Sequence, residues 1–340
     1  LQTLWQSKRL DFATLSKLDV ERAVRYACNE LNGFPEWFFE LANARADDVE
    51  PILVEAISAE LRYPESMEHV HVVVARLASA PIATVPAGAA FSKVLAREDP
   101  PNSRVLEQVL SGLYRAGINE NALLRNLAPV RTGSYETGQR QWTIWMGAWL
   151  CVNALPALQH LKLTLAQEPA RGADEAMEQL CAHLSGQPGR GQQPDRPSFL
   201  EPQSLAILVP LVYGHVRPAD DIDRNNKGVY SPTTRDNAQD LRNRLWEALR
   251  SDETAEADTV LRLFLSEDVL RGQRDWILSI LDERQGKLAD PVPWAAQDVR
   301  TFARVFRHEP RSDYQLYRLV SRLLLNVKNE VERLSLIHIS

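Results

Sequence analysis

Residues 103–117 read SRVLEQVLSGLYRAG, and this stretch sets the fold class. Val105, Leu106, Val109, Leu110 and Leu113 recur at three- and four-residue spacing, which gathers them into one stripe along an α-helix. Ser103 is read as the start of that helix. Gly117 is read as the residue just past its end, where a left-handed conformation lets the chain turn away without a Cβ clash.

The same pattern extends in both directions. Asp47 precedes a stripe of Val49, Ile52, Leu53, Ala56, Ile57 and Leu61, with Pro51 near the first turn, where a missing N–H costs little. Ser231 and Pro232 predict another start, with serine as cap and proline in the first helical position. Leu241, Leu245 and Leu249 are its buried stripe. Ser266, followed by Glu267 and Asp268, predicts a further cap whose acidic neighbours suit a helix N-terminus. Leu270, Trp276, Ile277, Ile280 and Leu281 follow, and Gly286 ends that helix. Ser312 to Gln315 (SDYQ) form a capping box ahead of Leu316, Leu319, Val320, Leu323, Leu324, Val327 and Val331.

Strand signals are nearly absent. His69 to Val74 alternates briefly, but inside a helical pattern. Roughly a dozen to fifteen helices joined by short loops are expected. Helix pairs recur at uneven intervals of roughly 35–45 residues, the size class of HEAT-like and tetratricopeptide-like units. No position-by-position repeat is visible. The fold class predicted is all-α, an irregular helical-repeat (HEAT/TPR-like) solenoid in two parts. Residues 186–197, GQPGRGQQPDRP, contain no large apolar side chain and predict a flexible linker or long loop. An N-terminal helical-repeat region (1–185), a linker (186–198) and a C-terminal helical region (199–333) are expected. Residues 334–340, LSLIHIS, match the translation of a transposon end used in sequencing libraries and are expected to be adapter read-through. With Leu1 in place of methionine and no signal-peptide pattern behind it, the chain is expected to be a fragment cut at both ends.

The 340 residues are 44% hydrophobic and 25% charged, in the globular range, with a net charge of −6. That balance argues against a general nucleic-acid footprint. No apolar run reaches membrane-spanning length, the most hydrophobic being Ser204 to Tyr213. Cys28, Cys151 and Cys181 are scattered without a C-x-x-C, which suits a reducing cytoplasm and places each thiol in the core. A cytoplasmic chain with no membrane partner is expected.

The search for chemistry returns little. The sequence holds no G-x-x-x-x-G-K-[ST], no H-E-x-x-H and no G-x-S-x-G. His69 and His71, two apart, would leave a helix on different faces. Asp221 to Asn225 begins like a calcium loop, but Asn226 stands where glycine is wanted and Pro232 where a bidentate glutamate is required. No catalytic, cofactor-binding or metal-ligating residue is therefore expected. Trp142, Trp145 and Trp149 share one helical face; a stacking platform for a peptide or base is one reading, plain core the favoured one. Arg242, Arg244 and Arg250 interleave with Asp240 and Glu247, and between Arg217 and Arg250 seven basic residues meet six acidic ones, which predicts a solvated, pair-laced surface.

Four stretches carry a more specific likeness: residues 217–249 (RPADDIDRNNKGVYSPTTRDNAQDLRNRLWEAL), 274–285 (RDWILSILDERQ), 293–302 (PWAAQDVRTF) and 309–332 (EPRSDYQLYRLVSRLLLNVKNEVE). In this order they resemble the C-terminal helical region of bacterial STAND-type defence proteins, the NACHT-like NTPases that sense phage components. The resemblance implies an effector domain and NTPase core upstream, and helical repeats that recognise a target. It implies a non-catalytic sensor and scaffold region with a protein ligand, in a protein that can oligomerise at full length. Contacts to the ligand are expected around Tyr230 to Asp240, with Tyr230, Arg235 and Asp236 as candidate binding residues. Two other readings stay open. One is an accessory region of an enzyme, such as a nuclease encoded beyond Arg333. The other is a purely structural scaffold.

Overall fold

The structure, a computed structural model, describes residues 2–7, 10–30, 33–63, 72–79, 85–185, 193–194, 196–222 and 231–285. Among these residues every regular element is helical and none is a strand. The chain divides into two compact units, Leu1–Ile222 with Ser231–Leu270, and Asp223–Tyr230 with Arg271–Ser340. The first contains α1 (Gln2–Gln6), α2 (Lys17–Asn29), α3 (Glu36–Ala44), α4 (Ala46–Leu61), α5 (Val72–Ser79), α6 (Val85–Arg97), α7 (Ser103–Ala116), α8 (Ile118–Thr132), α9 (Arg140–Val152), α10 (Ala154–Gln167), α11 (Ala170–Leu184), α12 (Pro202–His215), α13 (Thr234–Ser251) and α14 (Ala255–Phe264). The described part of the second contains α15 (Arg274–Arg284), which buries Ile277, Ile280 and Leu281.

Within the first unit, helices two apart in sequence lie side by side. α2 packs on α4 and α4 on α6; α5 packs on α7; α9 packs on α11 and α11 on α13; α10 packs on α12 and α12 on α14. Sequence neighbours such as α6 and α7, α8 and α9, and α9 and α10 also pack on one another. An amphipathic helix must bury its stripe against another element, and short connections place the nearest partners one and two helices away.

The apolar stripes read from the sequence are the buried faces. Val105, Leu106, Val109, Leu110 and Leu113 are all buried, as are Leu241, Leu245 and Leu249. The favoured reading of the tryptophans holds: Trp142 and Trp145 are among the largest fully buried side chains, and Trp149 is buried too.

Some starts hold and others move. α7 begins at Ser103 as read, with Asn102 as its cap, the side chain accepting from the N–H groups of Arg104 and Val105. Gly117 does take a positive φ of 116° at the end of that helix. α4 begins at Ala46, which leaves Asp47 and Asp48 in its first turn against the positive end of the dipole. α13 begins at Thr234 rather than after Ser231, because Thr233 and Asp236 form a reciprocal capping box. Ser266 is no N-cap; its hydroxyl donates to the Leu263 carbonyl at the end of α14, and the next α-helix starts at Arg274. Tyr230, Gly286, the SDYQ box and residues 334–340 lie outside the described residues.

The two-part division expected at 186–198 is not where the compact units part. α11, before that segment, packs on α13, after it. The 3₁₀ turn Ser198–Leu200 contacts α9, α10, α12 and α13, with Phe199 completely buried. Residues on both sides of the segment thus share one core. No helix among the described residues is long and apolar enough to cross a membrane.

Arginines satisfy carbonyls at helix ends, where the last C=O groups lack intrahelical donors. Arg115 Nη1 donates to Ala78 O near the end of α5 (2.7 Å), Arg125 Nε to Val152 O at the end of α9 (3.1 Å) and Arg244 Nη1 to Leu184 O at the end of α11 (2.8 Å). Arg242 Nη1 donates to Val216 O just past α12 (2.5 Å), and Arg76 reaches Glu30 O just past α2.

Glu60 serves the opposite end. Its two carboxylate oxygens accept from the N–H groups of Val73 and Val74 at the start of α5, at 2.8 and 2.9 Å. Burial raises its pKa, against the pull of those N–H groups. Glu60→Ala is expected to lower stability by about 1–3 kcal/mol, since two buried donors lose their acceptor. A raised folded-state pKa means the folded chain holds this proton more tightly. Its contribution is therefore fully present in acid and declines as pH rises through the folded value. Urea unfolding of the wild type and the variant across that range should show the difference between them narrowing. Gly112 is tested the same way. A Cβ there would fall well inside contact distance of the buried Phe91 ring, so Gly112→Ala should cost about 1–3 kcal/mol through overpacking of α6 on α7.

Candidate functional site

A concave feature lined by several titratable groups lies among α7, α9 and α11. Glu107, Leu110 and Tyr114 come from α7, Ile144, Gly147 and Cys151 from α9, and His183 from α11, with Gln193 closing one side. The space measures about 280 Å³ including its open mouth.

Helical spacing explains who meets whom. Leu110 and Tyr114 fall one turn apart, and so do Gly147 and Cys151. Gly147 makes room for the imidazole: a Cβ there would lie 2.5 Å from His183 Cδ2 and 2.9 Å from Nε2. Glu107, only 6% exposed, accepts from Arg140 Nη2 at 2.9 Å, and His183 Nδ1 lies 3.5 Å from the same oxygen. A buried carboxylate is costly without a cation, and Arg140 supplies one.

Cysteine, histidine and carboxylate thus share one cavity, but the thiol is not activated. Burial pushes Cys151 up to about 12, against the opposing effects of Arg244 and of a hydrogen bond from Tyr114. Burial likewise raises the Tyr114 hydroxyl well above its ordinary value. A thiol that titrates so far above neutrality has almost no thiolate to act as nucleophile or metal ligand. Among the described residues no group of three or more His, Cys, Asp or Glu is placed to hold a metal ion.

A second cluster joins α11, the end of α12 and α13. His215 Nδ1 lies 2.8 Å from Asp174 Oδ1, and Arg217 Nη2 donates to the other oxygen at 2.9 Å. Arg235 reaches Glu178 at 3.3 Å, Asp221 at 3.2 Å and Arg217 O at 2.5 Å. Arg242 pairs with Asp221 and donates to Val216 O.

The residues singled out for ligand contact fall here, and both described ones are engaged within the fold. The Arg235 side chain is 13% exposed, clamped by those contacts. Asp236 is 2% exposed and accepts from Thr233 N–H at 2.8 Å in the capping box of α13. The structure brings the two together as a helix start and its clamp. Tyr230 is outside the described residues. The surface expected at Arg242 and Arg244 is corrected as well. The Arg242 side chain is 7% exposed, and burial lowers the pKa of Arg244. Interleaved charge was a sound sign of pairing and a poor sign of exposure.

Arg244 differs from its neighbours. Its Nη1 donates to Leu184 O at 2.8 Å and to Gln193 Oε1 at 2.7 Å, and its guanidinium sits 5.5 Å from the centre of the Phe199 ring. Sequence reasoning missed Glu107, Arg140, His183 and Gln193. They come from three helices and a loop, and nothing in their local spacing marks them as partners.

Comparison with protein-family models, with curated proteins and with solved structures finds no match to this chain.

Proposed function

We propose that this chain is a non-catalytic helical sensor and scaffold region of a larger multidomain bacterial protein, and that it recognises a protein ligand. On this reading the fold is an irregular helical-repeat solenoid. The observation that carries it is the stacking of helices two apart, α9 on α11 on α13 beside α10 on α12 on α14. Stacking of that kind gives an extended helical surface suited to a protein partner. Glu107, Arg140, Arg235, Asp236 and Arg242 are committed to holding helices together, which supports a scaffold role for the charged groups inside the fold. The antiphage setting rests on the resemblance of residues 217–332 to STAND-type defence proteins.

The test is a titration of the purified chain against a panel of purified phage structural and replication proteins. The expected result is one partner bound with a Kd on the order of 1 μM or tighter. No binding across the panel, with the chain folded by circular dichroism, would contradict the reading.

A further inference from the structure

We propose that the Arg244 guanidinium is a receptor for a carboxylate side chain of the protein ligand, and that the Gln193 carboxamide holds its place. This rests on the protein-binding reading above.

Three observations carry it. First, Arg244 is half-buried, yet the acceptors it meets are neutral: the Leu184 carbonyl, the Gln193 side-chain oxygen and the face of Phe199. Among the described residues no carboxylate pairs with it. Arg235 and Arg242, on the same helix, are both held by carboxylates. A guanidinium out of bulk water ordinarily takes a carboxylate, because the charge-assisted pair offsets its lost hydration. Second, the group in that place is a planar amide of the same size and shape as a carboxylate, whose Oε1 accepts from Arg244 as a carboxylate oxygen would; its Nε2 donates to Leu184 O at 3.1 Å, a bond a carboxylate forgoes. Third, Gln193 lines the cavity, so the position it fills adjoins an opening. Glu107, on the cavity wall, is already paired with Arg140, which limits its repulsion of an incoming anion.

A carboxylate in place of the amide exchanges a neutral acceptor for a charged one, roughly doubling the strength of the bond. The Leu184 carbonyl keeps its donor from Arg244 in that exchange.

Chemical rescue tests this on the full chain without any protein ligand. In Gln193→Ala the side chain is removed and acetate is added, with sodium chloride at equal ionic strength as control. Acetate should raise the Tm by about 2 °C or more above the chloride control. Acetamide should do less, and acetate should have no such effect on Gln193→Ala/Arg244→Gln. The proposal is overturned if acetate gives no rise, if acetamide equals it, or if the double variant responds as well. Rescue by acetate with no hit in the phage panel would leave the anion receptor standing and remove the protein-ligand reading.

Discussion

Trp145→Ala is expected to destabilise the chain by about 3–5 kcal/mol, one of the two largest single-residue effects anticipated here. Trp145 is completely buried on α9, a helix whose residues from Trp142 to Val152 are all buried. Truncation leaves a cavity the size of an indole, which close-packed neighbours fill only in part. It also removes a donor. Trp145 Nε1 bonds Asp99 Oδ1 at 3.1 Å, while Asp99 Oδ2 accepts from the Tyr135 hydroxyl at 2.5 Å. That carboxylate ties the loop before α7 to the turn before α9, and with burial it holds the Tyr135 phenol up at about 12. Trp145→Phe separates the two contributions: it keeps much of the volume and loses the hydrogen bond, so a cost of about 1.5–3 kcal/mol is expected, as for a bond to a charged group. Urea unfolding followed by far-UV circular dichroism gives both numbers. The stacking-platform reading makes the opposite prediction, unchanged stability with lost binding.

Arg242→Ala is expected to cost about 3–5 kcal/mol, the usual penalty for removing one partner of a buried ion pair. Val216 O loses its donor, Asp221 loses its most buried cation and the Tyr213 ring loses the guanidinium 5.5 Å from its centre. Arg242→Met should recover only the packing part of that cost, because it still leaves Asp221 without this cation and Val216 O without its donor. Asp221→Ala combined with Arg242→Ala should be less than additive, with a coupling of about 0.5–3 kcal/mol. Thermal or urea denaturation of the four species measures it. Were Arg242 on a solvated face, the single substitution would shift stability by no more than about 0.5 kcal/mol.

What the sequence made legible was local. Stripes such as Val105 to Leu113 and Leu241 to Leu249 depend only on spacing within a helix, so they could be read without knowing the partner. The start at Ser103 held, the one at Ser231 lay two residues before the true cap, and Ser266 caps no helix. Asn102 stands beside Ser103, and both are good caps. Thr233 with Asp236 three residues on is the reciprocal box, overshadowed by the Ser231–Pro232 pair before it. The charged interior was not legible. The arginines of α13 bond backbone carbonyls of Leu184 and Val216, and a carbonyl carries no side-chain identity to mark it as an acceptor. Composition likewise marked residues 186–197 as a break, while the fact that α11 and α13 bury each other across that stretch depends on three-dimensional contacts.

The central claim is that Arg235 and Arg242, with their partners Glu178, Asp221 and Val216 O, hold α13 against the helices before residue 186 in one scaffold. The most direct measurement replaces residues 187–192 with a protease recognition sequence, cuts the folded chain there and passes it over a sizing column. The account predicts that the two pieces stay together, elute as the uncut chain and separate when Arg235→Ala and Arg242→Ala are combined. Pieces that part on cutting alone would contradict it.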